Sequence, residues 1–113
     1  MLYSKNHLWA DISGNIASIG ITKIGQQKLG EIVFVNLIDV GHIIGINQKF
    51  GDIESIKTVY DLLSIADGRI IAINDDIIMD PCRLNEDPEK NWLVKIEFTK
   101  LSDELSDLEN QNG

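Results

Sequence analysis

The stretch I-E-S-I-K-T-V-Y-D, residues 53–61, sets a lysine inside a run that otherwise reads as β structure. A lysine there does one of two jobs. On an edge strand it is a solvated charge that discourages strand-to-strand aggregation. Held out on a turn, its long flexible stem would present an amine for chemistry. Periodicity alone favours the first reading, because surface lysines are common. No Gly, Pro or Asn lies between Ile53 and Asp61, and turn preferences argue against a tight turn at Lys57.

Other chemistry is scarce. Cys82 is the only cysteine, which excludes an intramolecular disulfide and a cysteine cluster for zinc. His7 and His42 lie far apart, and nothing has metal-ligand spacing. The acidic pairs Asp75-Asp76 and Glu86-Asp87 lack the spacing of a calcium loop and read as solvated charge. No glycine-rich phosphate loop, nucleophile elbow or nucleophile–base set occurs, so an autonomous enzyme is the least supported class. The formal net charge of −8 repels polyanions, which argues against nucleic acid and an acidic membrane surface as partners. It would steer the chain toward a basic patch on a protein, or serve solubility alone.

The elements that must position Lys57 are mostly strands. The chain has 113 residues, 43% of them hydrophobic and 25% charged, enough for one domain over 1–113 with a modest core. A domain this small has little room for a large substrate cleft as well, which favours a carrier or binding module. Strand-like runs occupy 15–21, 31–37, 42–44, 51–56, 58–63, 68–74 and 92–98, a pattern that predicts a sandwich or flattened barrel. Residues 22–29 predict a short helix with Thr22 as N-cap and Gly30 as stop. Leu101, Leu105 and Leu108 fall at i, i+4 and i+7, which predicts an amphipathic helix over 101–109, and the tail 110–113 should fray. The N-terminus lacks a signal-peptide pattern and no apolar run reaches spanning length, so a cytoplasmic protein is expected, or one of the mitochondrial matrix if a transit peptide was removed.

Several short motifs occur in a fixed order: H7-L8-W9, I19-G20-I21-T22, L29-G30-E31-I32-V33-F34-V35-N36-L37, V40-G41, E54-S55-I56-K57-T58, Y60-D61, D67-G68-R69-I70, I73-N74, N85-E86-D87-P88 and W92-L93-V94-K95-I96. In that order and spacing the chain resembles the H protein of the glycine cleavage system, from Tyr3 to about Phe98. The resemblance implies a mostly β, lipoyl/biotinyl-carrier-like flattened barrel with a hybrid-motif sandwich. It also implies that Lys57 sits at a hairpin tip and carries lipoic acid as an amide.

The function so implied is that of a non-catalytic carrier, a monomer, shuttling an aminomethyl group and reducing equivalents on lipoyl-Lys57. Its partners would be glycine decarboxylase, aminomethyltransferase and dihydrolipoyl dehydrogenase, with a lipoate ligase or lipoyl transferase to install the arm. By match, Glu54, Gly41 and Gly68 would serve recognition by the lipoylating enzyme, and Asp61 would contact the arm. Residue by residue, the bland readings are a solvated glutamate, two turn glycines that can serve both ends at once, and, with equal weight, a strand-end aspartate. Two departures stand out. Leu8 replaces the family's glutamate between His and Trp, a residue implied to hold the ammonium of the loaded arm, and Ile38 replaces a proline. An apolar leucine cannot hold an ammonium. The alternatives are a divergent H-like carrier outside glycine cleavage, serving lipoyl relay or redox-linked protein modification, and an unmodified binding module. A biotin carrier would show methionines on both sides of the lysine, which I56-K57-T58 lacks.

Overall fold

The computed structural model describes residues 1–107. Two antiparallel sheets face each other. The larger is built from β1 (Leu2–Tyr3), β2 (Leu8–Ser13), β3 (Ile16–Ile21), β5 (Ile43–Ile44), β8 (Ala66–Ile73) and β9 (Val94–Leu101), in the order β1-β2-β3-β9-β8-β5. The smaller is β4 (Ile32–Leu37), β6 (Lys49–Ser55) and β7 (Val59–Leu63), in the order β4-β6-β7. Ile19, Ile21, Ile70 and Ile96 of the first sheet and Val35, Ile53 and Leu62 of the second share one buried cluster, so the core lies between the sheets. This is the expected flattened sandwich, with two layers and no closed ring.

Helix α1 (Lys23–Leu29) forms where Thr22 and Gly30 predict it. The Thr22 hydroxyl accepts from the Gly25 N–H at 3.1 Å, and Gly30 leaves the helix at φ 82°. Gly25, an apparent weakness within α1, is required there: a Cβ would sit 2.6 Å from the Cβ of His7. Two further helices, α2 (Asp75–Met79) and α3 (Cys82–Glu86), fill the segment between β8 and β9, burying Ile77 and Leu84.

The H-x-W and I-G-I-T motifs explain each other. Trp9 packs its ring against Gly20 of the paired strand, where any side chain would collide with the indole. Its Nε1 donates to the Pro88 carbonyl at 3.2 Å, tying the N-E-D-P segment to the larger sheet. Ile38, in place of the family's proline, donates its N–H to the Phe50 carbonyl at 3.0 Å, a bond proline could not make.

The predicted helix over 101–109 is not formed in its described part. Leu101 closes β9, the Ser102 hydroxyl accepts from the Glu104 N–H at 3.2 Å in a local turn, and Ser106 bridges back to Tyr3. Leu101 and Leu105 still pack on the core, so the apolar spacing is used without a helix. A helix of so few residues is marginal in water, and the bridge to Tyr3 competes for the same backbone. Leu108, Glu109 and the tail 110–113 lie outside the described residues.

Candidate functional site

Lys57 stands at the tip of the hairpin that joins β6 to β7, with Glu54 opposite Val59 as the last paired residues. The tip lacks glycine, asparagine and proline because Ser55 does their work. Its hydroxyl accepts from the Lys57 N–H at 3.3 Å and the Thr58 N–H at 3.2 Å, and donates to the Thr58 carbonyl at 3.3 Å. Serine side chains close turns in this way by replacing a backbone acceptor. The Ser55 N–H also donates to the Thr58 carbonyl at 2.8 Å. A second anchor comes from outside the hairpin, where the Ile56 N–H donates to the Glu31 carbonyl at 3.0 Å.

Glu31 is fixed in turn by its neighbour. The Asn85 side chain of α3 accepts from the Ile32 N–H at 2.8 Å and donates to the Ile32 carbonyl at 3.0 Å, a mimic of strand pairing. The N-E-D-P motif thus supports both sheets, through Asn85 on β4 and Pro88 on Trp9. Ser55→Ala removes the hydroxyl that closes the tip. It should cost about 1 kcal/mol and speed hydrogen exchange at the Lys57 and Thr58 amides, while distant β9 amides keep their protection. Unchanged exchange at the tip would show that the Glu31 anchor alone holds it.

Ile56, Lys57, Thr58 and Val59 are all exposed, and no ion pair holds the Lys57 amine among the described residues. The lysine stem lies over the end of α1: a Cβ on Gly30 would sit 3.5 Å from Lys57 Cε and 3.9 Å from Nζ. Next to Gly30, Leu29 helps line a cleft of about 210 Å³ with His7, Ile21, Gly25, Lys28 and Tyr60. None of these six is a carboxylate. The Tyr60 hydroxyl donates to the Asn6 carbonyl at 2.6 Å, and burial pushes its phenol pKa up. Leu8, expected beside a loaded arm, is only 1% exposed and belongs to the core, paired with Ile21.

The remaining predicted residues fall into two groups. Glu54 and Asp61 lie on the outer face of the smaller sheet, in the rows Phe34–Glu54–Val59 and Asn36–Asp52–Asp61. Asn36, which sequence reasoning missed, donates its amide to Asp52 Oδ1 at 2.8 Å and to Glu54 Oε2 at 2.9 Å. That hydrogen bond, with help from Lys49, draws the Asp52 carboxyl below its usual range. Asp61 is engaged by Lys49 at 3.1 Å, and hydrogen bonds to Asp61 and Asp52 push the lysine pKa up. Asp61 alternates with Tyr60, so its carboxylate faces away from the cleft that Tyr60 lines.

Gly41 and Gly68 sit together at the β5–β8 edge of the larger sheet. Gly41 takes φ 99° and donates its N–H to the Ile70 carbonyl at 2.7 Å. Gly68 lies at a bulge where the β8–β9 register shifts, and a Cβ there would strike the Glu97 backbone. Each glycine is therefore required by the backbone whatever else it does.

A small β-sandwich that presents a lysine amine, unpaired among the described residues, on a doubly anchored hairpin has the build of a carrier domain. The family described as "Glycine cleavage H-protein" matches residues 1–113, and the chain belongs to that family. A glycine cleavage system H protein from Carboxydothermus hydrogenoformans is 40% identical over 107 residues, 94% of this chain and 82% of the relative. One from Bacillus cereus is 43% identical over 101 residues, 88% of this chain and 80% of the relative. The crystal structure of a glycine cleavage system H protein from Mycobacterium marinum superposes with a TM-score of 0.86 at 33% identity, covering 92% of this chain and 87% of that one. The protein is a non-catalytic lipoyl carrier of the glycine cleavage system, and proteins of this family bear lipoic acid covalently on a lysine. It interacts with the enzymes of that system. The divergent H-like role outside glycine cleavage is not favoured. Among the described residues no helix is long and apolar enough to cross a membrane.

Proposed function

We propose that Lys57 is the lipoyl acceptor, within a single carrier domain spanning 1–113. One observation carries this: Lys57 is the lysine at the exposed hairpin tip, with its amine unpaired among the described residues and the tip backbone anchored by Ser55 and Glu31. The residues fit the group. A long stem over Gly30 gives reach, and conversion to an amide removes a charge that nothing nearby uses. When bound, lipoic acid supplies reversible thiol–disulfide chemistry and a sulfur that carries a one-carbon unit. The chain presents, anchors and shelters.

The cleft beside Leu29 is smaller than the ~300 Å³ of ordinary ligand pockets, which suits the end of a tethered arm better than a free metabolite. For Asp61 to contact the arm, its carboxylate must leave Lys49. Glu54 serves recognition by a lipoate ligase or lipoyl transferase, and Gly41 and Gly68 hold the turns that such an enzyme would meet. The arm then visits glycine decarboxylase, aminomethyltransferase and dihydrolipoyl dehydrogenase. A monomer in the cytoplasm fits the bacterial relatives and a net charge of −8, which keeps copies apart.

Expression with lipoate ligase and lipoate, followed by intact mass, tests the reading. A mass increase of one lipoyl group per chain, and loading of that protein by glycine decarboxylase with glycine, is the expected result. An unmodified mass would leave an unmodified binding module. A lipoylated protein that glycine decarboxylase cannot load would return the H-like alternative.

A further inference from the structure

The cleft near Lys57 is built from one face of α1 and a tyrosine from β7. Gly25, Lys28 and Leu29 fall at i, i+3 and i+4, so they share that face. Ile21 and His7 crowd its Gly25 end, where an added Cβ would meet Ile21 Cγ1 at 3.1 Å and His7 Cβ at 2.6 Å. The Tyr60 ring is pinned by its hydroxyl, which donates to the Asn6 carbonyl at 2.6 Å. From Leu29 back to Gly25 the helix rises about 6 Å. The Lys57 stem lies at the other end, with Cε 3.5 Å from a Cβ built on Gly30. An arm on that amine therefore starts one residue from the Leu29 end of the cleft.

The chemistry of the lining is one-sided. Ile21, Leu29 and the Tyr60 ring offer apolar contact, the side chain of fixed charge is the cation Lys28, and no described lining residue is a carboxylate. The hairpin's own carboxylates near the tip are committed elsewhere. Asp61 faces away from the cleft and is engaged by Lys49 at 3.1 Å. Glu54 Oε2 accepts from the Asn36 amide at 2.9 Å on the outer face. Leu8, opposite Ile21, brings an apolar side chain packed in the core. A neutral sulfur ring entering such a cleft gains apolar and sulfur–aromatic contacts. An ammonium entering it gives up water, with no anion in the described lining to replace it.

We propose that this cleft receives the lipoyl arm in its neutral states, disulfide or dithiol, and leaves the arm in solvent when it carries an ammonium. The proposal rests on Lys57 bearing lipoate, and it deepens that reading by naming which form of the arm is sheltered. It reverses the order that a glutamate before Trp9 would impose, since a carboxylate in the lining would draw the charged arm in. The ligand class the cleft selects is a small uncharged sulfur ring or thioether, tethered at Lys57. The amine-bearing arm is presented outward, free to enter a partner's active site without first leaving a site on this chain.

The test uses the full lipoylated chain carrying Cys82→Ser, a change at an exposed position that leaves the arm's thiols as the only ones. After reduction, bromoethylamine turns each arm thiol into a thioether bearing an ammonium, and bromopropane gives a neutral thioether of nearly the same shape. Methyl NMR at Ile21 and Leu29 reads occupancy against the unmodified chain, with the exposed Ile43 methyls on β5 as the control. The oxidised and propyl arms should shift both cleft residues. Occupancy by the aminoethyl arm should be at least about tenfold lower. Lys28→Glu, an exposed change that puts a carboxylate in the lining, should bring the aminoethyl arm in while the thermal midpoint shows a folded chain. Equal or larger shifts from the aminoethyl arm overturn the charge selection. So does an oxidised arm that moves neither residue, or an exclusion that Lys28→Glu fails to relieve. Intact mass is read first: a chain that acquires no lipoyl group removes the acceptor reading, and the cleft's role goes with it.

Discussion

Lys57→Arg is expected to fold like the native protein and to acquire no lipoate at all. The position is an exposed hairpin tip whose turn is held by the Ser55 hydroxyl and the Glu31 carbonyl, and neither bond uses the lysine side chain. Exposed substitutions of this kind change stability by only ~0.5 kcal/mol. Arginine keeps the charge and most of the stem, so packing over Gly30 and any steering by the tip charge survive. What it loses is a deprotonatable amine: a guanidinium stays protonated and its electrons are delocalised. Intact mass after expression with ligase and lipoate reads the result directly. Lys23→Arg, on the exposed side of α1, should be modified as fully as the native chain. Equal incorporation in Lys57→Arg would move the arm elsewhere.

The sequence left Lys57 ambiguous for a physical reason. Turn preferences weigh glycine, asparagine and proline, and the hairpin uses none of them. Its turn residue is Ser55, which ordinary strand alternation absorbs without notice. Only the order of motifs along the chain pointed to a tip. Much else was legible: Thr22 and Gly30 bound α1, and seven strand-like runs became strands within a few residues of their expected ends.

The misses share a cause. β1 has two residues, and β2 buries Leu8, Trp9 and Ala10 in succession, so neither shows alternation. The helices α2 and α3 have five residues each, too short for a helical period to emerge. The spacing of Leu101 and Leu105 suggested a helix because apolar spacing reports only that side chains reach the core. It does not say which backbone brings them there. At the site, Asn36 was invisible because its role comes from neighbours on β6.

Leu8 gives the second large effect. The family pattern places a glutamate there, and restoring it looks like a route to holding an ammonium. The surroundings in this chain predict the opposite. Leu8 is 1% exposed, lies opposite Ile21, and packs in the central cluster. The buried hydroxyls nearby, Ser4 Oγ, which accepts from the Leu8 and Asn6 N–H groups, and Thr22 Oγ1, which accepts from Gly25, are neutral and carry no charge to balance a carboxylate. Leu8→Glu would therefore place a carboxyl in a cluster built of apolar side chains, and the variant should lose more than ~3 kcal/mol at neutral pH. Burial raises the pKa of the introduced carboxyl above its unfolded value of about 4.3. The ionisation penalty is therefore absent below that value and grows as pH rises toward the folded pKa. Urea midpoints measured from pH 4 to pH 8 should show the variant falling progressively below the native protein as pH rises. Coincident, pH-independent midpoints would mean that position 8 opens to the cleft beside Tyr60. Leu8→Glu would then be expected to prolong the life of the loaded arm, and the leucine would be the residue that shortens it.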